Sequence, residues 1–170
     1  MKNAVRYYSR TGNTKVAAEA IAKAINEEAV SVDSPEAPVR EHVDVLFIGG
    51  ALYAYGIDKH LKKFVAGLKK ENVGKAVVFS TSWISKHAIK VLKDALNRKG
   101  IPVEDETFYF RGKPGEKQLH EAVRKVRQIC GQWFFGLYRQ TFRRSLRIDV
   151  RISGKFMPQL RRYDYKKLNI

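Results

Sequence analysis

Apolar residues recur along this chain in two alternating patterns, short continuous runs and longer stretches with apolar residues three or four positions apart. The runs predict five strands, at residues 3–8, 29–32, 43–50, 76–80 and 103–110. The spaced stretches predict helices at residues 13–27, 57–68, 85–99 and 116–129, with one further short helical turn at 39–42. Asp58 stands where it could cap the second long helix. Arg6 is unusual in its position, because a strand buried on both faces is normally apolar.

Strands that alternate with helices predict an α/β fold in which helices cover both faces of a parallel sheet. In a parallel sheet all the carboxyl ends of the strands meet at one edge. The loops that leave this edge are where such folds bind their ligands. The loops after the first, third, fourth and fifth strands are therefore the candidates for function.

The loop Ser9-Arg10-Thr11-Gly12-Asn13-Thr14 joins the first strand to the first helix. It offers three hydroxyl groups, a glycine that can adopt positive φ, and the unpaired first amides of a helix. Such a loop binds phosphate. The sequence has neither the lysine-containing phosphate loop of nucleotide hydrolases nor the glycine pattern of dinucleotide folds, which favours a monophosphate. The alternative is an ordinary capped helix start.

This loop resembles the phosphate loop of flavodoxins, (S/T)-x-T-G-x-T, with Ser9, Thr11, Gly12 and Thr14 at its fixed positions. The resemblance extends to about residue 128. It implies a flavodoxin-like, doubly wound, five-stranded parallel sheet of order 2-1-3-4-5, with FMN as the cofactor. We therefore expect an FMN-binding domain at residues 1–128. A basic, aromatic extension, whose spacing is compatible with a helix, is expected at residues 129–170.

The resemblance also implies that two further loops hold the flavin ring. One is Ala51-Leu52-Tyr53-Ala54-Tyr55-Gly56 after the third strand, and the other is Thr81-Ser82-Trp83 after the fourth. Tyr53 or Tyr55 is expected to cover one face of the ring and Trp83 the other. The alternative places one tyrosine on the surface and Trp83 in the core. With Ser9 to Thr14, these loops make up the predicted cofactor site.

The formal net charge is +16, and half of it lies in the last 41 residues. Flavodoxins that act as soluble carriers are typically acidic, so this charge departs from the family. The basic extension carries Trp133, Phe134, Leu137 and Phe142 at rough helical spacing. It would pack on the domain or on a second copy in a homodimer, dock on anionic lipid or nucleic acid, or be a segment without a selected function.

Other kinds of site have little support. Cys130 is the only cysteine, which excludes an internal disulfide and favours a reducing cytoplasm. No run of apolar residues is long enough to span a membrane, and the start of the chain lacks the apolar core of a signal peptide. The four histidines have no metal-binding spacing, and His60 and His87 are expected to face solvent.

The sequence therefore predicts an FMN-binding, flavodoxin-like protein that transfers electrons and works with a redox partner protein. One alternative is a small FMN-dependent reductase of a quinone-type acceptor. Another is a binding module whose basic extension docks on an anionic surface. An electron carrier is the preferred interpretation over a true oxidoreductase.

Overall fold

The computed structural model describes residues 1–53, 56–83 and 85–145, and it describes side chains in these ranges except those of Leu52, Tyr53 and residues 132–145. The strands are β1 Asn3–Tyr8, β2 Ala29–Ser31, β3 Val43–Gly50, β4 Leu52–Tyr53, β5 Gly56–Ile57, β6 Val73–Thr81 and β7 Phe108–Phe110. The helices are α1 Asn13–Ala24, α2 Lys59–Gly67, α3 His87–Arg98 and α4 Glu116–Ser145, with a 3₁₀ turn at Lys70–Asn72.

Five strands form one parallel sheet in the order β2-β1-β3-β6-β7. These are the five predicted strands, so the α/β class and the order 2-1-3-4-5 are confirmed. The last predicted strand is shorter than expected. Val103 makes only an isolated bridge to Ala76, and regular pairing begins at Phe108. The small antiparallel pair β4–β5 was not predicted.

Two apolar layers enclose the sheet, because successive side chains of a strand point to opposite faces. On one face, Val5, Val45 and Phe47 pack against α1 and the first half of α4. On the other face, Leu46, Ile48 and Val78 pack against α2 and α3. Helices therefore lie on both faces, as the alternation of strands and helices predicts.

The short helical turn predicted at residues 39–42 is wrong, since these residues are irregular. Their carbonyls are engaged by side chains from elsewhere. The amide of Asn72 donates to the carbonyls of Val39 and Arg40, at 2.9 and 3.3 Å. Hydrogen bonds from a distant side chain compete with a helical turn of this length.

The connection between β2 and β3, which contains these residues, explains how Arg6 is accommodated in a central strand. Its side chain lies on the sheet face of α2 and α3, where the connection between β2 and β3 supplies a loop and no helix. The Arg6 guanidinium donates from Nε to the carbonyl of Ala37 at 2.7 Å, and from an Nη to that of Val5 at 3.1 Å. Burial lowers the pKa of Arg6, against a smaller opposing effect of Glu27. A cation in a central strand is thus satisfied by one loop carbonyl and one carbonyl of its own strand.

The helix α4 begins at Glu116 as predicted and continues to Ser145, beyond the expected end at residue 129. Ala122, Val126 and Ile129 are its buried contacts with the sheet. Cys130 is half-buried beside them, and burial raises the pKa of its thiol. The aromatic stripe predicted from Trp133 onward lies outside the described side chains, and so do the expected docking and homodimer contacts of the extension. The expected boundary near residue 128 stays a prediction.

A side chain of β6 covers the backbone of β3 at Gly49. In the sheet register Gly49 pairs with Tyr7 of β1 and with Phe79 of β6. A Cβ atom built on Gly49 would lie 2.3 Å from the ring of Phe79. The fully buried ring of Phe79 therefore occupies the space that a side chain at position 49 would need.

We expect Gly49→Ala to lower the free energy of unfolding by about 1–3 kcal/mol, because the added methyl overpacks a rigid core. Urea denaturation followed by far-ultraviolet circular dichroism measures this. The matched control is Gly67→Ala on α2, where an added Cβ meets no atom within 4 Å. That change should stabilise the protein by up to about 1 kcal/mol through helix propensity. Equal effects of the two substitutions would contradict the conclusion that the Phe79 ring fills the space beside Gly49.

Candidate functional site

The loop between β1 and α1 has the backbone of an anion site. Gly12 is the residue before α1 and has φ of 86°, a conformation that other residues rarely adopt. No side chain caps the helix. The first helical amides begin at Asn13, and Thr11 is exposed beside them while Ser9 is half-buried. Uncapped amides, the positive end of the helix dipole and nearby hydroxyls together suit a phosphate group.

Thr14 connects this loop to the end of β6. Its hydroxyl oxygen lies 2.6 Å from that of Thr81, and both residues are buried. The two predicted site residues are 67 positions apart in the sequence. The hydrogen bond holds the first turn of α1 against the strand that leads into the Ser82-Trp83 loop. One hydroxyl of the pair donates and the other accepts, so one hydrogen remains to donate elsewhere.

An ion pair connects the same loop to α2. Arg10 donates from Nε to a carboxylate oxygen of Asp58 at 3.0 Å and also pairs with it through an Nη. Asp58 is buried and caps α2 as predicted, by accepting from the His60 N–H at 2.9 Å. Burial opposes ionisation of this carboxyl, but the His60 N–H and the Arg10 guanidinium outweigh it and hold the pKa of Asp58 below its usual range. The sequence indicated the cap but not the ion pair.

The prediction that His60 faces solvent is wrong. Its ring is half-buried and packs edge-on against Tyr8, with ring centroids 5.1 Å apart. Its Nδ1 is buried and has no hydrogen-bond partner among the described residues. The ring lines one side of a cleft of about 550 Å³ between α2 and residues 32–39. This cleft lies where the short connection from β2 to β3 leaves α2 uncovered. His87, in contrast, is exposed as predicted.

The second predicted loop is described only in part. Ala51 is half-buried, and Leu52 and Tyr53 form β4, which pairs with Gly56 and Ile57 of β5. Gly56 is buried. Ala54 and Tyr55 lie outside the described residues, as does the side chain of Tyr53. The expected stacking of a tyrosine on the flavin therefore stays a prediction.

The third loop places Trp83 on the surface. Its side chain is 68% exposed, which excludes the alternative of a core position. The indole lies against the backbone of Gly112, where a Cβ would come within 2.5 Å of the ring. Ser82 fixes the loop, because its N–H donates to Phe110 at 3.0 Å and its carbonyl accepts from the Tyr109 hydroxyl at 2.8 Å. The sequence did not indicate this role of Tyr109.

The structure thus links the first predicted loop to two neighbouring segments at the carboxyl edge of the sheet. The Thr14–Thr81 hydrogen bond connects the first loop to the third, and the Arg10–Asp58 ion pair connects the first loop to the start of α2, which follows the second. The donors are hydroxyls and amides, which fit a phosphate monoester. Among the described residues no group of three histidine, cysteine or acidic side chains could hold a metal ion.

A comparison with protein families identifies the family of this chain. The family model described as a flavodoxin domain matches residues 4–129, about three quarters of the chain. No curated protein matches the chain. No helix within the described part of the chain is both long and apolar enough to cross a membrane.

Comparison with solved structures gives the same fold. The chain is similar to a flavodoxin from the domain Archaea, at 24% identity and a TM-score of 0.66, over 78% of this chain and 98% of that one. Oxidised Flavodoxin 1 from Bacillus cereus is 21% identical, with a TM-score of 0.65, over 77% and 98%. The rubredoxin oxygen:oxidoreductase of Desulfovibrio gigas is 13% identical with a TM-score of 0.65, over 74% of this chain and 34% of that one.

We expect Thr14→Val or Thr81→Val to lower the free energy of unfolding by about 1–3 kcal/mol, since each leaves one buried hydroxyl without its partner. The double variant should cost clearly less than the sum, because two apolar groups of the same shape replace the pair. Urea denaturation of the protein without cofactor measures all four corners of this cycle. Strictly additive losses would show that the two hydroxyls do not interact.

Proposed function

The chain belongs to the flavodoxin domain family, whose members are FMN-binding electron-transfer proteins, and we propose that it binds FMN at the carboxyl edge of its sheet and acts as an electron carrier. The observation that carries this proposal is the uncapped start of α1 behind the left-handed Gly12. That backbone, with the hydroxyl of the exposed Thr11, provides donors for a phosphate. The cation of this loop, Arg10, is paired with Asp58.

The proposed phosphate site uses Ser9, Thr11, Asn13 and Thr14. The hydroxyls of Ser9 and Thr11 and the first amides of α1 donate to the phosphate oxygens. Thr14 contributes through its amide and holds the turn in place through its bond to Thr81. Arg10 is turned toward Asp58, so we assign it to positioning the loop, and its charge adds to the positive field around the phosphate.

The proposed ring site lies between the residue 51–56 loop and the residue 81–83 loop. FMN supplies the redox chemistry when it is bound. The chain supplies the walls and the polar contacts, with Trp83 on one side and Tyr53 or Tyr55 on the other. Ser82 is held by Phe110 and Tyr109, which keeps the backbone beside Trp83 in one position. A fixed backbone lowers the entropy lost on binding a flat ring.

A carrier is preferred over a reductase because the sequence lacks a glycine-rich dinucleotide loop. Electrons would then come from a separate redox protein, which docks at the edge where the flavin is exposed. The alternative is an FMN-dependent reductase of a quinone-type acceptor, and the rate of NADPH oxidation distinguishes it from a carrier.

The first expected result is that FMN binds with sub-micromolar affinity, which corresponds to about −8 kcal/mol or better. Quenching of flavin fluorescence during titration measures this. Riboflavin should bind more weakly, because it leaves the phosphate loop empty. Thr11→Ala should weaken FMN binding by about 1–3 kcal/mol through one lost hydrogen bond to a charged group.

The control for this experiment has two parts. Thr11→Ala should leave riboflavin affinity unchanged, since riboflavin has no phosphate. Thr107→Ala, which removes a hydroxyl at the opposite edge of the sheet before β7, should leave both affinities unchanged. Equal affinity of the unmodified protein for FMN and riboflavin would refute the assigned phosphate loop.

The second expected result concerns the carrier. The FMN-loaded protein should oxidise NADPH no faster than free FMN does, because the sequence has no glycine-rich dinucleotide loop. The fall in absorbance at 340 nm measures the rate of NADPH oxidation. After chemical reduction the protein should transfer electrons rapidly to one-electron acceptor proteins. Fast NADPH oxidation coupled to a soluble quinone would instead show that the protein is a reductase.

A further inference from the structure

The charges of residues 1–131 are distributed unevenly between the two edges of the sheet. At the carboxyl edge, the segments at residues 9–14, 56–62, 82–87 and 111–115 carry six cations and one carboxylate. The carboxylate is Asp58, which is buried and paired with Arg10. At the opposite edge, residues 1–2, 23–28, 40–42, 68–72 and 99–107 carry seven carboxylates and six cations, so their charges nearly cancel. The domain therefore presents a positive edge where the cofactor is proposed to lie.

We name the cations of the carboxyl edge the basic rim, formed by Arg10, Lys59, Lys62, Lys86, Arg111 and Lys113. All six residues are exposed. Lys59 and Lys62 follow β3, Lys86 follows β6, and Arg111 and Lys113 follow β7. Since β6 lies between β3 and β7 in the sheet, the loop with Trp83 lies between the two flanks of the basic rim.

Trp83 is an apolar contact surface inside this ring of charge. Only Met1 and Trp83 are exposed large apolar residues among the described side chains, and Met1 lies at the opposite edge. The indole is supported from below by Gly112. Lys86 is held over the Tyr109 ring, with Nζ 5.6 Å from its centroid, so it also has a defined position. An exposed tryptophan that rests on backbone and is surrounded by charge is typical of the centre of a protein interface.

We propose that the basic rim and Trp83 form the docking surface for an acidic, one-electron redox protein. This inference rests on the proposed electron-transfer function, because it places the partner at the edge where the flavin would exchange electrons. Carboxylates of the partner would face the rim lysines and arginines while Trp83 contacts an apolar patch. Opposite fields of this kind accelerate encounter and orient the partner before contact.

A protein partner is favoured over nucleic acid by the place and composition of the surface. A nucleic acid on the basic rim would cover the edge through which electrons pass. Trp83 is the one exposed large apolar side chain among the described residues of this edge, and a single exposed ring gives no platform for successive bases. Nucleic-acid binding is therefore kept as an outcome that would overturn the proposal.

The test measures electron transfer from the chemically reduced, FMN-loaded full-length protein to two acceptor proteins by stopped flow. An acidic rubredoxin is the probe of the proposed charge, and basic cytochrome c is its opposite. With rubredoxin the second-order rate constant should fall roughly tenfold or more as salt rises from about 10 mM to about 500 mM. With cytochrome c it should stay level or rise with salt.

Charge reversal locates the surface. The double variant Lys59→Glu, Lys113→Glu should slow transfer to rubredoxin at low salt roughly tenfold or more, with no effect near 500 mM salt. The matched control is Lys23→Glu, Lys69→Glu, which changes the net charge equally at exposed positions of the opposite edge. It should change the rate less than about twofold. Equal slowing by both double variants would overturn the proposal, since net charge alone would then explain the rate.

Direct binding separates this proposal from the proposed function. Calorimetric titration of oxidised rubredoxin onto each variant, with and without FMN, measures docking independently of the cofactor. Salt-sensitive binding that the rim variant alone loses supports the docking surface even if FMN fails to bind. Normal FMN binding with rubredoxin binding unchanged in the rim variant overturns it. So does rim-dependent binding of a short DNA duplex with no rim-dependent binding of rubredoxin.

Discussion

The parallel pairing of β1, β3 and β6 is the constraint on which the rest of the structure depends. At Gly49 of β3 there is no room for a side chain, because the ring of Phe79 in β6 fills that space. Parallel alignment brings the carboxyl ends of these strands to one edge, so loops far apart in the sequence become neighbours. The connections then have to return across the sheet faces, and the helices that do so bury both faces of the sheet. Site and core therefore have the same origin.

The loops at that edge are held together by polar contacts that are themselves buried or half-buried. The Thr14–Thr81 bond lies beneath the proposed phosphate site, and Asp58 serves both Arg10 and the start of α2. Such groups cost free energy to bury and recover it only in one geometry. They therefore fix the relative positions of α1, α2 and β6 before any ligand arrives. The cations around them are left to solvent, which gives this edge its positive field.

The fold was largely readable from the sequence where local patterns and tertiary demands agree. Alternating apolar runs and amphipathic stretches predicted all five strands of the sheet and the four long helices. Prediction failed at residues 39–42, because a distant Asn72 takes the carbonyls that a helical turn would use. It also treated Arg6 as anomalous in a central strand. The loop that accepts its hydrogen bond at Ala37 is 31 residues away, and no local pattern reports such a partner.

At the site, the sequence by itself determined the chemistry. Several features of the site can be read directly from the sequence: the hydroxyls and Gly12 of the first loop, the cap at Asp58 and the excess of cations. Tertiary structure alone decided how they are used, because side-chain partners and exposure depend on which segments the sheet brings together. It paired Thr14 with Thr81, packed His60 edge-on against Tyr8, and placed Trp83 outside the core. Residue type and spacing are local properties, whereas these contacts join segments that only the packed sheet makes neighbours.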